Sequence, residues 1–290
     1  MFKGCYVATI TPFKDGEVDE EGMRQNLRFL IEAGVAGLVP CGTTGETPTL
    51  THDEWARVIK IAIEEAKGKV QIIAGAGTNS TKKTIANLET LQKMEIDGAL
   101  IVTPYYNKPT QQGLVDHYVE IGKVGVPIVA YNVPGRTGCN ILPETAARIS
   151  DKSEALVAIK EASGNLDAVS RIATLLRNRI DILSGDDSLT LPMLAVGGVG
   201  VISVLGNIAP QDLVRMIDLF FKGDTRAARE IHLRYLNLIK LLFIETNPIP
   251  VKKAASLMNM AAGIPRLPLV EMTEQATQKL RAEMQKVGLL

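Results

Sequence analysis

Residues 71–102 read QIIAGAGTNSTKKTIANLETLQKMEIDGALIV, and they contain one full copy of the pattern that decides the fold. The apolar run Gln71–Gly75 predicts a strand, the amphipathic stretch Thr81–Met94 predicts a helix, and Gly98–Val102 predicts the next strand. A helix between two strands is the connection that parallel strands need, because a tight turn can only join antiparallel ones. This stretch therefore predicts one unit of a parallel α/β sheet.

The same alternation runs from the start of the chain to residue 203. The other predicted strands are Gly4–Thr9, Gly37–Pro40, Pro127–Asn132, Val157–Glu161, Asp181–Ser184 and Gly200–Ser203. The other predicted helices between strands are Asp19–Ala33, Trp55–Ala66, Thr110–Gly122, Pro143–Ile149, Asn165–Leu176 and Ser188–Val196. Eight strands in this order predict a closed (β/α)8 TIM barrel, and an open doubly wound sheet is the alternative. We favour the barrel, because the number of repeats fits it well. In addition, Gly75–Ser80 lacks the last glycine of the dinucleotide-binding pattern G-x-G-x-x-G.

Beyond residue 207 the strands stop and helical patterns follow one another. These predicted helices are Gln211–Phe221, Asp224–Glu245, Val251–Asn259 and Pro268–Val287. Only the first of them is needed to complete a barrel. We therefore expect a catalytic barrel over residues 1–224 and a C-terminal helical extension over residues 225–290.

Composition limits the classes of function. The chain has 290 residues, of which 46% are hydrophobic, and its formal net charge is zero, so we expect a large core and no nucleic-acid partner. Cys5, Cys41 and Cys139 are odd in number and far apart, which favours a reducing compartment over a disulfide framework. No secretory leader and no apolar run of about 20 residues is present, so we expect a cytoplasmic protein without a membrane partner.

Lys160 is the candidate nucleophile. It ends the apolar run Leu156–Ile159, where burial would favour the neutral amine that attacks a ketone and forms a Schiff base. The alternative is a strand-end lysine that reaches solvent, as most lysines do. The segment by itself leaves both interpretations open.

Other polar residues follow the predicted strands, at the barrel face where catalytic residues gather. The loop Gly42–Gly45 offers backbone N–H groups and the hydroxyls of Thr43 and Thr44, which can hold a carboxylate, although an ordinary turn has the same composition. The hydroxyls of Tyr106 and Tyr131 could relay protons, and aromatic packing is the alternative for each.

Two charged groups complete this face. Arg136 lies in a predicted loop, where a guanidinium could bind a carboxylate bidentately or simply be solvated. Asp186 and Asp187 precede Ser188–Val196, and we expect helix capping there instead of metal binding. The three histidines show no metal-ligand spacing, so we expect neither a metal site nor a cofactor.

Together these motifs resemble the pyruvate-dependent class I aldolase family. The resemblance is carried by GTTGE (42–46), YNVPGRTG (131–138), IKEASGN (159–165) and SGDD (184–187), and it covers essentially the whole chain. It implies a TIM barrel in which Lys160 forms an imine with pyruvate. It further implies catalytic roles for Tyr131, Thr43 and Tyr106, and substrate contacts from Thr44, Arg136, Gly185 and Ile202.

The segment VPGRTG (133–138) is similar to one branch of this family. That branch condenses pyruvate with L-aspartate 4-semialdehyde to 4-hydroxy-tetrahydrodipicolinate, a lyase-class step of diaminopimelate and lysine biosynthesis. The resemblance implies a homotetramer, a dimer of dimers, in which Tyr106 crosses to a neighbouring subunit. Alternatives are a related aldolase acting on a sugar-derived 2-oxo acid, a binding barrel without turnover, and a phosphate-sugar isomerase, for which neither a glutamate base nor a phosphate loop after the last strand is clear.

Feedback control is a further expectation from the resemblance. Lysine-inhibited members bind lysine between subunits, and the matching positions here are His52, Trp55, Asn79, Lys83 and Tyr105. Lys83 stands where those members have a glutamate, and an ammonium there would repel the ligand's own ammonium. We therefore expect weak or absent inhibition by lysine.

Overall fold

Eight parallel strands close a barrel in the structure, a computed structural model that describes residues 1–94, 96–177 and 179–290. The barrel strands are β1 (Gly4–Ala8), β4 (Gly37–Val39), β5 (Gln71–Gly75), β6 (Gly98–Val102), β7 (Ile128–Asn132), β8 (Leu156–Glu161), β9 (Asp181–Ser184) and β10 (Gly200–Ser203). Around the barrel the strand order is β1-β10-β9-β8-β7-β6-β5-β4. The predicted TIM barrel is confirmed, and every predicted strand lies within one residue of the observed one.

A short antiparallel hairpin was not predicted. It consists of β2 (Phe13–Lys14) and β3 (Glu17–Val18), joined by Asp15 and Gly16, which both have positive φ. Two residues per strand are too few for an alternating pattern to be visible in the sequence.

Helices connect the strands and continue to the C-terminus. They are α1 (Glu20–Glu32), α2 (His52–Ala66), α3 (Thr81–Gln92), α4 (Gln111–Gly122), α5 (Pro134–Thr137), α6 (Pro143–Lys152), α7 (Leu166–Leu176), α8 (Thr190–Ala195), α9 (Pro210–Phe221), α10 (Thr225–Leu241), α11 (Ile249–Leu257) and α12 (Glu274–Lys286). Within the described ranges, none of these helices combines the length and the apolar character that a membrane span requires.

Three predictions about helices were wrong. The helix predicted over Asp224–Glu245 covers only Thr225–Leu241. Arg136 lies in the one-turn helix α5 instead of a loop, because Pro134 starts a helical turn that ends at Gly138 with φ of 68°. The helix predicted from Pro268 begins at Glu274, since Thr273 still has extended dihedrals (φ −62°, ψ 149°) and donates from its N–H and hydroxyl to Glu245.

The chain forms two compact units. The first comprises residues 1–3 and 73–202, and its core includes Ile101, Val129 and Ile159. The second comprises residues 4–72 and 203–290, and it contains the C-terminal helices α10, α11 and α12. The predicted boundary between residues 224 and 225 stays a prediction.

Candidate active site

The pairing of β7 with β8 places Lys160 beside Tyr131. The two residues are direct partners in the parallel register, and the next pair is Asn132 with Glu161. Because side chains alternate between the faces of a strand, the first pair lies on one face and the second on the other. The Lys160 Nζ lies 4.2 Å from the centroid of the Tyr131 ring. Register thus brings together the predicted nucleophile and a predicted proton-transfer residue.

The second pair holds this register. Asn132 Nδ2 donates to Glu161 Oε2 at 2.8 Å, and the backbone N–H of Ser163 donates to Glu161 Oε1 at 2.6 Å. The Asn132 Oδ1 accepts from the N–H of Ile141 at 2.9 Å. A slip of one residue would exchange the faces of β8, and it would leave these buried polar groups without partners. This pair was not predicted. In the sequence it is visible only as one polar residue at the end of each of two apolar strands.

Lys160 is buried, so the interpretation as a solvent-reaching lysine is wrong. Its exposed fraction is 5%. Burial lowers the pKa of Lys160 from its ordinary value of 10.5 to about 8; the carboxylate of Asp187 opposes this shift, and the guanidinium of Arg136 adds to it. An amine with this pKa is available as a nucleophile near neutral pH.

Residues after β9 border Lys160. A Cβ on Gly185 would lie 3.0 Å from Lys160 Cε and 2.7 Å from Ala162 Cβ, so the glycine leaves room for the lysine side chain. Asp186 caps the next turn, accepting from the N–H of Ser188 at 2.9 Å, which confirms the predicted capping for this one of the two aspartates. Ile202, in β10, is fully buried.

The turn that carries Arg136 also supports Tyr106. The N–H of Tyr106 donates to the carbonyl of Thr137 at 3.3 Å, and the Thr137 hydroxyl accepts from that of Thr103 at 3.1 Å. Tyr106 has a φ of 74°, which is unusual for a tyrosine. Its side chain is 89% exposed, whereas that of Tyr131 is 7% exposed. Within one chain the predicted partners Tyr106 and Tyr131 therefore lie in different environments.

The loop of residues 42–46, called the threonine loop below, belongs to the second unit. Its turn is closed by the N–H of Gly45 donating to Gly42 and the N–H of Glu46 donating to Thr43, both at 3.1 Å. Thr43 is half-buried, and the buried Thr44 hydroxyl accepts from Asn247 Nδ2 at 3.0 Å. The contact with Asn247 was not predicted, since 203 positions separate the two residues.

In the part of the chain that the structure describes, no group of three or more histidine, cysteine, aspartate or glutamate side chains could hold a metal ion. All three cysteines are buried free thiols.

Comparison with known proteins gives one consistent match. The model of the dihydrodipicolinate synthetase family matches residues 1–287. The 4-hydroxy-tetrahydrodipicolinate synthase of Pelobacter propionicus is 48% identical over 291 residues, covering all of both chains. A crystal structure of dihydrodipicolinate synthase from Thermotoga maritima is 44% identical over all of both chains, with a TM-score of 0.98. A lysine-bound structure of the Cyanidioschyzon merolae enzyme is 41% identical, with a TM-score of 0.97, over 100% of this chain and 99% of that one. The chain belongs to the dihydrodipicolinate synthetase family.

Proposed function

We propose that this chain is a lyase that condenses pyruvate with L-aspartate 4-semialdehyde to 4-hydroxy-tetrahydrodipicolinate, in diaminopimelate and lysine biosynthesis. The observation that carries the proposal is the buried Lys160 amine beside the Tyr131 ring, with its pKa lowered to about 8. The chain's full-length similarity to enzymes named 4-hydroxy-tetrahydrodipicolinate synthase supports this acceptor. The alternative aldolase acting on a sugar-derived 2-oxo acid is not favoured.

The first half of the reaction takes place on Lys160. Its neutral Nζ attacks C2 of pyruvate, and loss of water gives a protonated imine, which draws electrons from the neighbouring methyl carbon. That carbon loses a proton and becomes the nucleophilic end of an enamine. Tyr131 transfers protons at the formation of the imine and in later steps, because its side chain adjoins the amine.

The second half joins the two substrates. The enamine carbon attacks the aldehyde carbon of aspartate semialdehyde, and the substrate's own amine then attacks the imine carbon, closes the ring and releases Lys160. Thr43 and Thr44 hold the carboxylate of pyruvate, and Arg136 binds that of the semialdehyde. Gly185 and Ile202 line the pyruvate site.

The working assembly is a homotetramer, a dimer of dimers, in the cytoplasm. Tyr106 supports an assembly, since its exposed side chain can reach a neighbouring subunit and complete the relay through Thr43 to Tyr131. Sedimentation at micromolar concentrations, for the native chain and for Tyr106→Ala, measures the assembly.

An acceptor panel tests the function. Pyruvate is supplied with aspartate semialdehyde or, separately, with aldehydes derived from sugars, and its consumption is measured. We expect turnover with aspartate semialdehyde and a kcat/KM at least about 100-fold lower with sugar-derived aldehydes, because Arg136 selects a carboxylate. A reversed preference would contradict the proposed acceptor.

The rate of pyruvate adduct formation is expected to rise with pH and to level off above pH 8, because the neutral amine is the reactive form. With a pKa of about 8 for Lys160, about one amine in ten is neutral at pH 7, against about one in 3,000 at its ordinary pKa of 10.5. Borohydride trapping at several pH values measures this rate. A rate still rising steeply between pH 9 and 10, on the order of tenfold per unit, would contradict the lowered pKa.

Lysine is expected to inhibit this chain weakly or not at all. Lys83 is exposed on α3, and its ammonium would repel that of lysine. Lys83→Glu should therefore increase sensitivity to lysine, while Lys82→Glu, an exposed neighbour on the same helix, should not. Initial rates over a lysine titration measure both effects. Strong inhibition of the native chain at submillimolar lysine would contradict this expectation.

A further inference from the structure

A C-terminal segment contacts the threonine loop at two points. Asn247 Nδ2 donates to the Thr44 hydroxyl at 3.0 Å, and the Lys252 Nζ lies 2.7 Å from Glu46 Oε1. All four residues are buried. Asn247 lies two residues before α11 and Lys252 lies in its first turn, so the threonine loop is held by the beginning of a helix.

The contact of Asn247 gives the Thr44 hydroxyl a direction. An amide nitrogen only donates hydrogen bonds, so the Thr44 oxygen accepts from Asn247. A hydroxyl that accepts from one side directs its own proton towards a different group. Thr44 is thereby oriented as a donor before a ligand arrives, and a preoriented donor in a buried site requires little reorganisation on binding.

The ion pair anchors the other end of the loop. The side chains of Lys252 and Glu46 are 1% and 0% exposed, and the second oxygen of Glu46 accepts from the N–H of Arg266 at 2.9 Å. The Lys252 ammonium also lies 4.3 Å from the Phe13 ring centroid. Both carboxylate oxygens therefore have donors, as a buried charge requires. Glu46 has a φ of 54°, and these contacts hold it in that conformation.

We infer that Asn247 is a positioning residue for pyruvate, which orients the Thr44 hydroxyl towards the substrate carboxylate while the Glu46–Lys252 pair holds the loop. The inference rests on the proposed function, since it deepens the role of Thr44 there. Asn247 acts through Thr44 and need not touch the substrate.

Asn247→Asp and Asn247→Ala test the inference on the full-length chain. Aspartate keeps the shape of asparagine, but its carboxylate accepts the Thr44 proton and adds a negative charge beside that of pyruvate. Alanine only removes the orienting donor. We expect the half-saturating pyruvate concentration in borohydride trapping to rise about 10- to 100-fold for Asn247→Asp and about 3- to 10-fold for Asn247→Ala.

The other kinetic constants separate positioning from damage to the fold. At saturating pyruvate, kcat and the KM for aspartate semialdehyde should stay within about threefold of the native values. Asn207→Asp is the matched control, because Asn207 is a buried asparagine whose side chain bonds to backbone groups of Ala8, Ile10 and Val204. It should lower the melting temperature and leave pyruvate binding unchanged.

The role of the Glu46–Lys252 ion pair is tested with the double variant Glu46→Gln/Lys252→Met, which removes both charges together. We expect weaker pyruvate binding in the folded protein. If this variant does not fold, the Asn247 variants still decide the inference.

Adduct formation by the native chain tests the proposed function, and the half-saturating pyruvate concentration of Asn247→Asp tests the role of Asn247. No adduct with the native chain would overturn both. If the native chain forms the adduct but Asn247→Asp has an unchanged half-saturating pyruvate concentration, only the role of Asn247 is overturned. An equal rise in the KM for aspartate semialdehyde and in the half-saturating pyruvate concentration would overturn it as well.

Discussion

Replacing Lys160 with methionine is expected to lower kcat/KM by at least about a thousandfold, because a thioether cannot form an imine with the ketone of pyruvate. Methionine retains much of the side-chain length without an amine. The fall in kcat/KM should therefore come from loss of the covalent step and not from altered packing. Consumption of pyruvate in the presence of aspartate semialdehyde measures the effect.

The thermal stability of Lys160→Met should not fall with its activity. Burial lowers the pKa of Lys160, so the charged lysine costs folding free energy in full below pH 8, and the cost falls as the pH rises from 8 to 10.5. We expect a melting temperature at neutral pH at least as high as that of the native chain. Lys123→Met, at an exposed lysine, is the control and should leave both activity and melting temperature nearly unchanged. Activity of Lys160→Met near the native value would contradict its assigned role.

Tyr131→Phe is expected to lower kcat by about 100- to 10,000-fold, the range for loss of a general acid or base. Phenylalanine keeps the ring beneath the Lys160 ammonium, so the change removes the hydroxyl while preserving the packing. Stopped-flow and steady-state rates should both fall, while the protein remains folded.

The control for this change is Tyr118→Phe. Tyr118 is also buried, and its hydroxyl donates to the carbonyl of Ile101 at 2.8 Å. Its loss should cost about 1 kcal/mol of stability and leave kcat within about twofold. Similar losses of kcat in the two variants would show that removing any buried tyrosine hydroxyl lowers kcat. That result would contradict a proton-transfer role specific to Tyr131.

The barrel was predictable because its signal is local. Each strand is a short apolar run, and each helix that follows is amphipathic, as in Gln71–Gly75 and α3. Lys160 was also visible locally, as a charge ending an apolar run. Its burial, and with it the direction of its pKa shift, needed the structure, because a strand-end lysine can equally well reach solvent.

The contacts that hold the candidate site were not predictable. Asn132 bonds to Glu161 across 29 positions, and Asn247 bonds to Thr44 across 203, so neither pair leaves a pattern within a local window. The ion pair of Glu46 with Lys252 spans 206 positions. Only the tertiary structure shows that these polar residues are partners.

Trapping with borohydride, followed by peptide mass mapping, tests the central claim most directly. The native chain is incubated with pyruvate alone, reduced, digested and analysed by mass spectrometry. We predict a mass increase of about 72 Da, the reduced imine of pyruvate, on the peptide that contains Lys160 and on no other lysine peptide. An unmodified Lys160 peptide, or the same increase on a different lysine, would contradict the assignment of Lys160 as the imine-forming residue.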